Sequence, residues 1–392
     1  MTEPWPMLQR YLISDLPRAE SLLPQLQRID QNRRYSNFGP LATEFEQRMT
    51  ALLNSIDPHP ELGEIHVTTM VTCYHALEVG LRGMDLPPRA NVLVPAVTFP
   101  ACPFAVIAAG ATPILSDVDP IKWTLTPAIA RRVAQNTKLS AVMPVAIYGV
   151  PVPVEAWDEF TRDTGIRVII DAAAAIESQA VPGSAIVAHS MHATKPFGVG
   201  EGGLMVSRDP HAINRARVYS NFGTIDRIAV FEGSNTKMSE YHAAVGLVQF
   251  ERWQAVKERR KALLNKYKEH LAPLASRLTF QTGLERGVVS SLMLRLEHPA
   301  AAQVIDHAQQ SNIAFHRMYL PGLYKHPHFT NLSTSDQAGN ILSGSVSPSA
   351  KIAHMPASEM MLDHIVGVPF HPFLGEDDIA QVAGVLRAAL DA

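Results

Sequence analysis

From about residue 65 to residue 210, short runs of apolar and β-branched residues alternate with longer stretches of helical periodicity. This alternation restricts the fold more than any other feature of the chain. Asn91–Pro95 (NVLVP), Thr112–Val118 (TPILSDV), Ser140–Gly149 (SAVMPVAIYG), Arg167–Asp171 (RVIID) and Leu204–Ser207 (LMVS) read as strands. Between them, PACPFAVIAAG, TPAIARRVAQN and PVEAWDEFTRDTG read as crossover helices. Parallel neighbours need such crossovers, because the chain must travel back along the sheet before starting another strand in the same direction. The strands are nearly continuous in apolar residues, as expected when helices cover both faces. The expected fold is α/β, with a large doubly wound, mostly parallel sheet whose ligands lie just past the carboxyl ends of the strands.

The remainder of the chain reads differently. Residues 238–271 carry one long helical pattern, able to lead out of the large sheet domain. VVSSLMLRLE then reads as a strand, PAAQVIDHAQQSN as a helix and EDDIAQVAGVLRAAL as a terminal helix. A smaller C-terminal α+β domain is expected, dividing the chain into residues 1–255 and 256–392. Thr330–Ala350, rich in Ser, Gly, Thr and Asn, reads as a flexible loop. The basic run Lys257–Lys261 (KERRK) lies among Trp253, Val256, Leu263 and Leu264 at helical spacing and reads as a solvated helix face.

Several function classes are set aside on composition. Net charge is -3 with Lys and Arg dispersed, which leaves no footprint for nucleic acid. Cys73 and Cys102 are too few for a disulfide framework or a structural zinc site. The histidines at 326, 328, 354, 364 and 371 have no acid at ligand spacing, so no metal is expected. MTEPWPMLQRYL has no basic stretch followed by an apolar core, and no run approaches the roughly 20 apolar residues that span a bilayer. A cytoplasmic enzyme without a membrane partner is expected.

Two residues carry chemistry. Asp171 ends the apolar run Val168-Ile169-Ile170 and is followed by four alanines. Its carboxylate either caps a helix or, beside such small side chains, faces a flat ring. Lys195 stands among Ala, Thr, Pro, Phe and Gly, an unusual setting for a residue that is ordinarily solvated. Partial burial lowers an ammonium pKa and frees the amine to attack an aldehyde. Gly198–Gly203 spell G-x-G-x-x-G, but the following LMVS reads as a strand where a dinucleotide site needs a helix.

These segments, together with YSNFGPLATEFE (35–46), VPAVTFPACPFAVIAAGATPILSDVDP (94–120), PVAIYGVPV (144–152), HSMHATKPFGVGEGG (189–203) and GSNTKMSEYHAAVGL (233–247), resemble the DegT/StrS family of nucleotide-sugar aminotransferases. The resemblance extends over nearly the whole chain and implies a fold-type I enzyme using pyridoxal 5'-phosphate (PLP). It implies that Lys195 is the Schiff-base lysine and Asp171 the partner of the ring nitrogen. Phe99 would stack on the ring, and Ser190 would contact the phosphate. Thr72, Cys73 and Tyr74 would form the turn beneath the phosphate. Asn235 would reach that phosphate from a neighbouring subunit, making the enzyme a homodimer with shared sites. His316 and Arg317, which partly match a family Arg-Arg pair, and Tyr319 would bind substrate. The HATK form most resembles members that aminate 4-keto-6-deoxy sugars on a nucleoside diphosphate, with glutamate as donor.

The sequence departs from the family pattern at two points. Thr72-Cys73-Tyr74 stands where most members carry N-G-T, S-G-T or N-A-T, and Ala174 where many have glutamine. The bulky Tyr74 leaves open a PLP enzyme acting on a non-nucleotide ketone or catalysing another PLP step. A PLP-binding regulatory protein without turnover is a third reading, opposed by the intact Lys195 and Asp171.

Overall fold

The computed structural model describes residues 7–344 and 346–392. Its strands in chain order are β1 (His66–Met70), β2 (Asn91–Pro95), β3 (Thr112–Ser116), β4 (Ala141–Val142), β5 (Arg167–Asp171), β6 (Ile186–Ser190) and β7 (Gly203–Ser207). There follow β8 (Thr224–Ile225), β9 (Ile228–Ala229), β10 (Leu278–Phe280), β11 (Leu292–Leu296), β12 (Thr334–Ser335), β13 (Ile341–Leu342) and β14 (Ile365–Val368). The large sheet has nine strands in the order β1-β7-β6-β5-β4-β2-β3-β12-β13.

Strands β2 to β6 are mutually parallel, joined by helices at Ala101–Ala108, Pro127–Asn136 and Val154–Thr164. Strand β7 then runs antiparallel between β6 and β1. Two reversals return β1 to the direction of β6, so the carboxyl ends of β1, β5 and β6 share one edge of the sheet. The register pairs Gly203, the first residue of β7, with both Met70 and Ser190 at that edge. Helix Cys73–Gly83 springs from the end of β1 and crosses the sheet, with Gly80 set against Ile169 and Ile186.

Two apolar clusters sandwich this sheet. One gathers Phe45, Trp157, Phe160, Phe197 and Leu247; the other includes Leu77, Val94, Met205 and Tyr324. A third cluster surrounds the three-stranded sheet β10-β11-β14. The helix Glu240–Leu271 runs from the first cluster, through Ala243 and Leu247, to the third, through Leu263 and Tyr267.

Three sequence readings change. The strand expected over Ser140–Gly149 is continuous only at Ala141–Val142, with an isolated bridge from Val145 to Asp171 beyond it. Pro144 has no N–H for a central ladder, and its carbonyl instead accepts the Asp171 amide at 3.0 Å. The expected loop Thr330–Ala350 contains β12, parallel to β3, and β13. Thr334 and Ser335 are buried, and the Lys351 ammonium donates to the Thr330 and Leu332 carbonyls. Backbone carbonyls of this segment thus find a partner inside the protein. Within KERRK, Arg260 is buried and donates to the Val289 carbonyl at 3.0 Å. It falls on the Val256-Leu263-Leu264 stripe, and burial pushes its pKa down to about 10.

Two consequences can be measured. A Cβ on Gly203 would stand 2.3 Å from the Thr72 carbonyl carbon and 2.5 Å from the Cys73 nitrogen, both main-chain atoms unable to give way. Gly203→Ala is expected to cost about 1–3 kcal/mol in urea unfolding; an unchanged midpoint would contradict this packing. His189, fully buried in β6, donates from Nδ1 to the Ala172 carbonyl at 3.2 Å, and burial lowers its pKa from 6.5 to about 4. The unfolded chain therefore binds a proton between those pH values that the folded chain refuses. Stability should fall on acidification through this window, by up to about 1.4 kcal/mol per pH unit. His189→Gln is expected to flatten that slope, as read from urea midpoints at neutral and mildly acidic pH.

Candidate active site

The shared edge of β1, β5 and β6 opens into a cavity of about 1030 Å³, as the parallel topology anticipates. Asp171, the last residue of β5, is only 5% exposed there. Its Oδ1 accepts the Ala173 amide at 2.9 Å, and its Oδ2 accepts the Cys102 thiol, also at 2.9 Å. Ala173 and Ala174 line the cavity beside it, so no side chain fills the space along the carboxylate.

Lys195 enters the same cavity from the connection between β6 and β7. That connection is braced by its own backbone. Lys195 N donates to His192 O at 2.8 Å, Ala193 N to Gly200 O at 2.8 Å, and Val199 N to Met191 O at 2.8 Å. The Gly198–Gly203 run ends in β7, so the structure gives it no helix to open. Gly200 needs its glycine, with φ at +104 and the His242 ring close to where a Cβ would stand.

Lys195 and Asp171 act on the same neighbours. Burial pushes the Tyr319 phenol up, Lys195 pulls it down, and Asp171 and Cys102 push it up further. The Cys73 thiol is likewise raised by burial and by Asp171 and lowered by Lys195. Amine and carboxylate thus bear on one small volume with opposite sign.

The remaining expected residues divide into two groups. Thr72, Cys73, Tyr74, Phe99, Ser190 and Tyr319 line the cavity. Thr72 caps the helix Cys73–Gly83, its hydroxyl accepting the His75 amide at 3.3 Å. The first N–H groups of a helix have no intrahelical partner and favour an anion. Ser190 Oγ accepts the His192 amide at 3.2 Å. Phe99 is 59% exposed and meets Tyr319 edge-on at 6.3 Å. Asn235 lies elsewhere, exposed and bridged to Asn221 beside the β8–β9 hairpin. His316 bridges to Gly367 and packs on the Tyr11 ring at 4.2 Å, so it meets the cavity only through Tyr11; Arg317 does not line it.

Sequence reasoning missed other parts of the wall. Cys102 reaches Asp171 from the helix Ala101–Ala108. Tyr148 stacks on Tyr319 at 5.5 Å and 9°, and donates from its hydroxyl to the Met318 carbonyl at 2.8 Å. Both tyrosines hold left-handed backbone, at φ 59 and 66, conformations that cluster at functional sites. Gln9–Leu12 also line the cavity, held there by Leu8 O accepting Ala314 N at 2.7 Å and Tyr11 O accepting Phe370 N at 3.0 Å. Neither Cys102, whose partner is 69 positions away, nor the N-terminal strap carries a local signal.

The chain is similar over most of its length to known proteins. Protein Rv3402c of Mycobacterium tuberculosis H37Rv is 27% identical over 393 aligned residues, spanning 97% of this chain and 89% of its own. The UDP-N-acetyl-3-dehydro-alpha-D-glucosamine 3-aminotransferase of Acidithiobacillus ferrooxidans is 27% identical over 324 residues, 80% of this chain and 82% of its own. Among solved structures, NtdA from Bacillus subtilis with bound cofactor PMP superposes with a TM-score of 0.80 at 18% identity, covering 99% of this chain and 85% of that one. The α/β fold is that of the PLP-dependent aminotransferases. The profile of the DegT/DnrJ/EryC1/StrS aminotransferases matches residues 18–387. With its lysine and its buried acid gathered at the strand ends where the fold places a ligand, this chain belongs to the DegT/DnrJ/EryC1/StrS aminotransferase family.

Proposed function

We propose that this aminotransferase moves an amino group from an amino acid, glutamate being the expected donor, to a nucleotide-linked keto-sugar such as a 4-keto-6-deoxy sugar. The observation that carries the reading is a single cavity holding both the Lys195 amine and the buried Asp171 carboxylate. The residues present fit PLP. When bound, PLP supplies an aldehyde that holds the migrating nitrogen and a protonated ring that takes up the electron pair released at carbon. Asp171 would keep the ring nitrogen protonated, since a carboxylate already holding two donors still has lone pairs to offer. Lys195 would bond to the aldehyde and afterwards carry the proton to and from the substrate carbon. Ser190 and the start of helix Cys73–Gly83 would hold the phosphate, and Phe99 would cover the ring.

A homodimer with shared sites belongs to the same proposal. Phe222, Val230 and the hairpin residues Ile225 and Ile228 are at least half exposed, a stretch that a soluble chain rarely leaves open. Asn235 lies beside this hairpin, where it would reach a partner's phosphate site. His316 and Arg317 would serve substrate through Tyr11 and Tyr319. The sugar acceptor is supported by the Acidithiobacillus relative, whose name gives a nucleotide-linked amino sugar. We assign the enzyme to the cytoplasm, consistent with the two free, buried thiols Cys73 and Cys102 and with no described helix long and apolar enough to cross a membrane. Tyr74 in the cavity wall supports one second reading, a smaller ketone as acceptor.

Incubation with PLP, glutamate and a panel of nucleotide-linked keto-sugars, cyclitol ketones and small ketones, read by mass spectrometry, separates the two readings. Amination confined to nucleotide-linked sugars is expected; amination of small ketones alone would overturn that substrate class. Lys195→Ala should lower turnover by at least about 10²–10⁴-fold, the range of a positioned proton carrier. Retention of full turnover would remove Lys195 from the chemistry.

A further inference from the structure

Asp171 is held by a second residue whose side chain has no role in the reading above. The Cys102 thiol donates to Asp171 Oδ2 at 2.9 Å, and Ala173 N–H donates to Oδ1 at 2.9 Å. Each carboxylate oxygen therefore has one fixed donor, which sets the plane of the group while leaving lone pairs free. Cys102 is itself held. Its sulfur lies 3.3 Å from Thr98 Oγ1, and both residues are buried. A thiol has a single proton; with that proton directed at Asp171, the Thr98 hydroxyl is the donor to sulfur. The chain of donors runs Thr98 to Cys102 to Asp171. Both start in the segment 98–102, which also carries Phe99 into the cavity wall, so this short segment spaces an aromatic face against the acid.

We propose that Cys102 is a positioning residue for Asp171: its S–H fixes the orientation of the carboxylate for the cationic nitrogen of a bound heterocycle. The inference rests on the PLP reading of the site. The thiol suits the task because it remains a thiol. Burial, then the charge of Asp171, raise its pKa well above the ordinary value, so the donor persists across the working range of pH. Nor does it act as a nucleophile, since its proton faces a carboxylate in a closed interior.

The test compares Cys102→Ala and Cys102→Ser in three measurements. These are PLP affinity by equilibrium dialysis, the pH midpoint of the bound cofactor's visible absorption, and the melting temperature of the cofactor-free protein. Without that donor, the proton shared between the ring nitrogen and Asp171 shifts toward the carboxylate. The ring then carries less positive charge, and the neighbouring lysine-derived nitrogen keeps its own proton to higher pH. Cys102→Ala should therefore weaken PLP binding by about tenfold and raise the midpoint by roughly half a unit to one unit. Cys102→Ser, which keeps a donor, should restore both. Wild-type values in Cys102→Ala would overturn the proposal. So would equal shifts in both variants accompanied by lower melting of the cofactor-free proteins, because the residue would then only fill space. If the wild-type protein melts cooperatively but takes up no PLP, the reading of the whole site fails, and that result appears without any variant.

Discussion

A carboxylate withdrawn from water must be compensated, and the placement of Asp171 at the end of β5 imposes that demand on everything around it. Two donors, the Ala173 amide and the Cys102 thiol, meet part of it. Lys195 lines the same cavity and acts on Tyr319 and Cys73 with the opposite sign to Asp171. What remains is a carboxylate facing an alanine-lined space, where the proposed function would place a flat cationic heterocycle.

The sheet makes this arrangement possible. Parallel strands β2 to β6 bring several carboxyl ends to one edge, and the antiparallel β7 lets β1 contribute its end as well. The cost of that insertion falls on Gly203, where the β7 backbone touches the Thr72–Cys73 peptide too closely for any side chain. The helix start at Thr72, the acid at Asp171 and the connection bearing Lys195 are thereby gathered at one edge. The N-terminal strap Gln9–Leu12 closes the remaining side.

How far the sequence could be read depended on whether a signal was local. Strands β2 and β5 match their expected bounds because each is an apolar run bounded by turns and helices, and the segment's own composition decides it. Lys195 and Asp171 were legible because an amine among small residues and an acid after three β-branched residues are unusual in themselves. The failures have a common cause. Pro144 truncates β4 through a missing N–H whose effect depends on a central position in the sheet. Strands β12 and β13 look like solvated loop because they are two residues long and are held by a distant strand, β3, and by the Lys351 ammonium on neighbouring carbonyls. Arg260 is inward only because the stripe it sits on faces a second core. Cys102 reads only as one of two free cysteines, because its partner lies 69 positions away, beyond any local pattern.

The measurement that bears most directly on this account is borohydride reduction of the PLP-loaded protein, followed by proteolysis and mass spectrometry of every lysine-containing peptide. The account predicts one stable adduct, carried by the peptide containing Lys195, and its disappearance when the cofactor is omitted. An adduct on any other lysine, or none on a protein that demonstrably holds PLP, would contradict the pairing of amine and carboxylate from which the rest was derived.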